Sequence, residues 1–131
     1  MRSALFFIAA AVLLGGCTTI TRLDGSICAE KDDGAVPVEA VQVMNTNWLL
    51  LSFAPIASGD PEHPDTCTYR WFTNTVTLQN QLDMLEAEVR RAGADRATDV
   101  ETEINSESAF FFLLQREKIH TSAVLVKDAQ P

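Results

Sequence analysis

Positive charge is scarce in this chain. Ten Lys and Arg stand against eighteen Asp and Glu, for a formal charge of −8. A surface of that sign repels the phosphate backbone of nucleic acids and gains nothing electrostatically from anionic lipid, so nucleic acid is excluded as an expected partner. Histidine occurs twice and cysteine three times, and neither Cys28 nor Cys67 has a second cysteine at ligand spacing, which argues against zinc. No cofactor is expected. Long apolar runs are missing too. The unbroken run Ala4–Leu14 has eleven residues, and as a helix it rises through about half of a roughly 30 Å hydrocarbon core. It is too short for a permanent span. The chain also contains no internal repeat.

What is present begins with the pattern of an export signal, because Arg2 precedes that apolar run. The run ends in Leu14-Gly15-Gly16-Cys17, which resembles the lipobox of bacterial lipoproteins: leucine, two small residues, then cysteine. The resemblance covers residues 1–17. It implies a signal peptide over 1–16, a diacylglyceryl thioether on Cys17, fatty acyl chains of the palmitate kind, and cleavage between Gly16 and Cys17. An ordinary signal peptidase prefers small residues at the third and first positions before its cut, and bulky Leu14 makes that route poor. At roughly 0.8 kcal/mol per buried methylene, two or three acyl chains give stable attachment. Thr18 stands where an aspartate would imply retention at the inner membrane, so the resemblance implies the periplasmic face of the outer membrane in a Gram-negative host. On this reading 17–35 is a lipidated N-terminus and tether, and 36–127 is one domain of ordinary size.

With Cys17 carrying lipid, Cys28 and Cys67 remain in an oxidising compartment. A disulfide between them is the economical reading and would close a loop worth about 3–4 kcal/mol. Two free thiols, or an intermolecular pair, are the alternatives.

Residue patterning predicts an α+β fold: a small antiparallel or mixed sheet in the order β-β-α-β-β-β, with one amphipathic helix packed on a face. Strands are expected over 38–44 and 48–53, separated by a turn at Asn45-Thr46-Asn47. Residues 54–70 carry Pro55, Gly59, Pro61 and Pro64 and read as a long loop. Leu78, Leu82, Leu85 and Val89 lie on one stripe of a helix over 78–92, with Thr77 to cap its start and Gly93 to end it. Alternation over 98–104 gives a half-solvated strand, and 105–108 reads as a turn. The run 109–114 reads as a central strand, 115–118 as a turn and 119–126 as a last strand.

Several constellations invite chemistry. Asp60, Glu62, His63 and Asp65 offer oxygens and an imidazole to a divalent ion, but the loop lacks the spaced glycine and final glutamate of an EF-hand. An acidic exposed turn explains it, and no metal is assigned. His120 lies beside Thr121 and Ser122, yet adjacent strand residues point to opposite faces and no glycine elbow is near, so no catalytic residue is assigned. Asp99, Glu101 and Glu103 form a carboxylate row that reads as a solvated strand face. Trp48, Trp71, Phe72 and Phe110–Phe112 read as core rather than as the lining of a ligand pocket.

Beyond the lipobox, Trp48, Pro55-Ile56, Gly59, Thr75-Val76-Thr77-Leu78, the helix and Thr121-Ser122-Ala123 resemble a group of small uncharacterised bacterial lipoproteins. No ligand or catalytic assignment comes with that likeness. The expectation is a non-enzymatic cell-envelope lipoprotein, held to the membrane through Cys17 and meeting an envelope protein. The alternative is a periplasmic binding module for a metal ion or small ligand, using the 54–70 loop beside Trp48 or Trp71.

Overall fold

A strand of fifteen residues, β2 (Val36–Leu50), is the axis of the molecule. The computed structural model describes residues 17–24, 35–109 and 112–128. Among these, six strands form one antiparallel sheet that goes with a single helix, an α+β arrangement. β1 (Thr19–Asp24), β2, β3 (Ala54–Gly59) and β4 (Tyr69–Trp71) precede α1 (Leu78–Ala92), and β5 (Arg96–Ala109) and β6 (Leu114–Lys127) come after it. The element order is thus β-β-β-β-α-β-β, not the expected β-β-α-β-β-β. Across the sheet the strands run β4-β3-β2-β6-β5. β6 covers one edge of β2, while β1 and β3 share the other, opposite Glu39–Met44 and Asn47–Leu50 respectively.

Within the stretch expected as a tether, Thr19–Asp24 is a strand, because Ile20 is buried against Val43 and Met84. Asn45-Thr46-Asn47, expected as a turn, runs through the middle of β2. Turn preference in such residues is a local contest between side chain and backbone. Here it is lost to β6, which pairs from Val36↔Lys127 to Leu50↔Leu114, and to burial of all three side chains. The chain turns instead at Leu51 and Ser52, both in the left-handed region (φ 52° and 66°), with Phe53 N donating to Leu50 O. Such a primed two-residue turn matches the twist of its strands but normally uses Asn and Gly.

The expected long loop also contains β3 and β4, leaving 60–68 irregular. Pro55 stands opposite Leu49 of β2, next to the register shift between Trp48 and Leu49, and outside the part of β3 that pairs with β4 (Ala57–Gly59), the bulge and edge setting in which a strand tolerates proline. The apolar run 109–114 is not a central strand. The β5–β6 hairpin turns there, leaving Phe112 and Leu113 exposed, while the expected turns 105–108 and 115–118 pair with each other through Asn105↔Lys118 and Ser108↔Gln115. Phe110 and Phe111 lie outside the described residues. A bulge between Thr98 and Glu101, with Asp99 at φ 51°, breaks the carboxylate row and leaves Glu101 and Glu103 alternating on one face.

α1 has the expected ends. Thr77 Oγ1 accepts from Asn80 N, Gly93 takes φ 65°, and Arg90 and Arg91 occupy the last turn. Its buried residues are Gln81, Met84, Leu85 and Glu88, while Leu78 and Leu82 of the expected stripe are exposed. The polar pair is held by the Gln81 amide nitrogen and the Glu88 carboxylate, although Gln81 Oε1 is buried without a hydrogen-bond partner among the described residues. Gln81 Nε2 donates to Ile119 O at 2.9 Å, and Glu88 accepts from Arg22 and Arg91. Leu85 packs with Val41, Ala123 and Leu125.

A chain of buried polar side chains ties the sheet to the segment before α1. Thr18 Oγ1 donates to Asn45 Oδ1 (3.0 Å), Asn45 Nδ2 to Thr75 O (2.9 Å), and Thr75 Oγ1 to Gly59 O (2.7 Å). The close approach needs glycine at 59. A Cβ there would stand 2.3 Å from Thr18 Oγ1, 2.6 Å from Asn45 Oδ1 and 2.7 Å from the Thr18 backbone nitrogen. Gly59→Ala is therefore expected to destabilise by about 2 kcal/mol, lowering the melting temperature by roughly 10 °C. A thermal melt indistinguishable from the parent would contradict this packing.

Candidate functional site

Cys17 enters the fold at the start of β1, half-buried. Its Sγ lies 2.6 Å from Cys67 Sγ and 4.0 Å from Tyr69 Oη. The sulfurs are farther apart than the 2.03–2.05 Å of a disulfide, and both thiols are free. Hydrogen bonding to Cys17 raises the Cys67 thiol pKa, with the neighbouring Asp65 charge adding to it, which keeps the thiol protonated and a poor nucleophile. Burial, then Cys17, likewise pushes the Tyr69 phenol up. Cys28 and Gly16 lie outside the described residues. Among those described, the sulfur beside Cys67 belongs to Cys17.

Position 17 is held by the contacts of the next few residues along the chain. Thr18 is buried, its carbonyl accepts from Asp65 N at 2.9 Å, and Ile20 N donates to Asp65 Oδ1 at 2.8 Å. The 60–68 segment thereby laces the free edge of β1. Arg22, two residues on, joins Asp65 Oδ2 (3.3 Å) and both oxygens of Glu88 (2.8 and 3.0 Å). Glu88 also accepts from Arg91, which reaches Glu39. Periodicity could not show this chain of charges, since its members come from β1, β2, α1 and the loop.

The acidic loop is assembled differently from an ion site. Ligand atoms of Asp60, Glu62 and His63 lie within 4.8 Å of one another. However, Asp60 Oδ1 accepts from Arg70 Nε (2.8 Å), its Oδ2 contacts His63 Nδ1 (3.0 Å), and Glu62 pairs with Arg70 Nη2 (2.6 Å). Burial pushes the Asp60 carboxyl up, but hydrogen bonds from His63, the Glu62 backbone and Arg70 outweigh it and hold the group below its ordinary value. The guanidinium thus supplies the positive charge that an ion would bring. Asp65 leaves the group for β1. A cleft of about 570 Å³ lies between this loop and α1, lined by Ile20, Pro64, Arg70, Asn80 and Met84, with neither tryptophan in its wall.

His120 faces the same side of β6 as Ser122, opposite Glu103 of β5. Thr121 points the other way, buried, its hydroxyl 3.0 Å from Thr102 Oγ1. Among the described residues no hydrogen bond joins His120 to a hydroxyl, so the geometry of a base and nucleophile is not assembled. Of the aromatic residues read as core, Trp48 is buried, with the Arg116 guanidinium 5.7 Å above its ring. Trp71, Phe72 and Phe112 are exposed instead.

No protein-family model, curated protein or solved structure matches the chain. No helix among the described residues is long and apolar enough to cross a membrane.

The charge chain sets a pH dependence. Glu88 titrates below its ordinary value of 4.5, chiefly because Arg22 hydrogen-bonds its carboxylate, with burial opposing and Arg91 adding to the effect. A depressed carboxylate stabilises the fold fully above the unfolded value, and the contribution is lost as pH falls through the lower folded one. Stability is therefore expected to be flat near neutrality and to decline below about pH 4.5, with a shallower decline in Glu88→Gln. Arg22→Ala is expected to cost about 3 kcal/mol at pH 7, because Glu88 stays buried with Arg91 alone. Denaturant midpoints across pH check both; an Arg22→Ala midpoint equal to the parent's would refute the pairing.

Proposed function

We propose that this protein is a non-enzymatic, lipid-anchored lipoprotein of the bacterial cell envelope, attached through Cys17 and presenting its α+β domain to an envelope partner. The observation that carries the reading is Leu14-Gly15-Gly16-Cys17 after a charged start and an eleven-residue apolar run. Structural support comes from the next residue. Thr18 is buried and bonded, so the first residue after the proposed lipid-bearing cysteine already belongs to the fold. Thr18 at the sorting position favours the periplasmic face of the outer membrane in a Gram-negative host.

A second reading, a periplasmic binding module for a small ligand, is favoured by the 570 Å³ cleft between the loop and α1, a volume in the range of ligand pockets. Its metal version is weakened by Arg70, which already occupies the Asp60 and Glu62 oxygens. A thermal-shift screen separates the two, since a ligand at a hundred times its Kd adds about 2.7 kcal/mol to stability.

The anchor reading is tested by expressing the full chain and fractionating cells. The parent and Cys67→Ser are expected in the membrane pellet, and Cys17→Ser in the soluble fraction or retained as uncleaved precursor. A Cys17→Ser chain cut at the same bond and pelleted equally would end this account.

A further inference from the structure

We propose that an exposed aromatic row running from Cys17 to two hairpin tips is a membrane-contact surface that seats the domain on the lipid interface; the inference rests on the anchor reading above. The row is traced by distances. Cys17 Sγ lies 4.0 Å from Tyr69 Oη, the Tyr69 and Trp71 rings are 6.4 Å apart edge to face, and the Trp71 and Phe72 rings are 6.5 Å apart. Phe72 N donates to Ile56 O, and from there β3 leads back to its hairpin tip at Leu51 and Phe53, about 10 Å away at 3.3 Å per residue. That tip is tied to the next one, because Leu51 N donates to Leu113 O at 2.9 Å.

These side chains are not core. Trp71 is 56% exposed, Phe53 74%, Phe72 78% and Phe112 72%. Single exposed apolar residues are ordinary, whereas several gathered on neighbouring elements mark a contact surface. Leu51 and Phe72 hold φ of 52° and 55°, two of the left-handed positions that the fold also uses at Ser52, Asp65, Cys67 and Asp99.

Lipid is the occupant that the geometry favours, for three reasons. Acyl chains on Cys17 would emerge at the head of the row. Thr18 is clamped into the sheet, leaving no slack to let the row drift from the bilayer. Finally, tyrosine and tryptophan prefer the headgroup boundary, with apolar tips reaching just below it. The excess of acidic residues makes this an apolar contact with zwitterionic lipid rather than adhesion to an anionic surface.

The test uses the full chain purified from bacterial membranes, its acylation read by mass, reconstituted into phosphatidylcholine vesicles with plain or brominated acyl chains. The part of the tryptophan emission that comes from Trp71, read as the difference between the parent and Trp71→Phe, is expected to fall about two-fold in brominated vesicles if Trp71 sits at the interface. The loss should vanish in Trp71→Phe, which leaves only buried Trp48, and shrink in a Phe53→Ser, Phe72→Ser double variant whose melting temperature is unchanged. An acylated, vesicle-bound parent with undimmed emission and Trp71 open to aqueous iodide would overturn the proposal while sparing the anchor. Trp71 shielded from iodide in detergent by a second copy or a co-purified protein would assign the row to protein contact and overturn it as well. A chain that carries no acyl group and does not bind vesicles would remove both readings together.

Discussion

The hydrogen bond from Thr18 Oγ1 to Asn45 Oδ1 joins the first stretch of chain after Cys17 to the centre of the longest strand, and the geometry around the site depends on it. Asn45 passes the connection to Thr75 and so to the segment that caps α1, while Thr75 returns it to Gly59 at the end of β3. One buried polar chain therefore fixes β1, β2, β3 and the helix start against each other. Its members are enclosed, where a hydrogen bond is strong and an unpaired group costly. Asp65 adds a second layer by holding Thr18 and Ile20 from the loop side. Cys17 inherits its position from these contacts.

Ion pairs within the chain take up many of its charged side chains. On the side of β1 and α1, Arg22, Glu88, Arg91 and Glu39 neutralise one another, and in the loop Arg70 neutralises Asp60 and Glu62. Much of the basic complement is spent inside the molecule. This suits a protein whose proposed attachment relies on acyl chains and aromatic rings, since a net acidic body gains nothing from anionic headgroups.

How much was legible in the sequence depends on the range of each interaction. α1 was readable to the residue because Thr77 and Gly93 act on the backbone beside them. The α+β class was readable because strand alternation is local too, whereas the choice between an antiparallel and a mixed sheet was not. Asn45-Thr46-Asn47 misled because its partners, Thr18 and Thr75, are distant in sequence. The 109–114 run misled for the converse reason: hydrophobicity signals burial only where a core is opposite, and Phe112 and Leu113 of this run stand exposed just before β6. Around the site, only Cys17 is singled out by a local motif. Its nearness to Cys67 and Tyr69, and the load carried by Gly59, were not legible, since none of these leaves a periodic trace.

A single sulfur atom decides the account, because Cys17 Sγ stands close enough to Cys67 for the two to compete with lipid for its one free valence. The direct measurement is the intact and fragment mass of the chain extracted from membranes. The account predicts an N-terminal fragment beginning at Cys17 and carrying diacylglyceryl mass, with no cross-link to Cys67. A fragment beginning elsewhere, or one in which Cys17 and Cys67 are joined with the loss of two hydrogens, would contradict it.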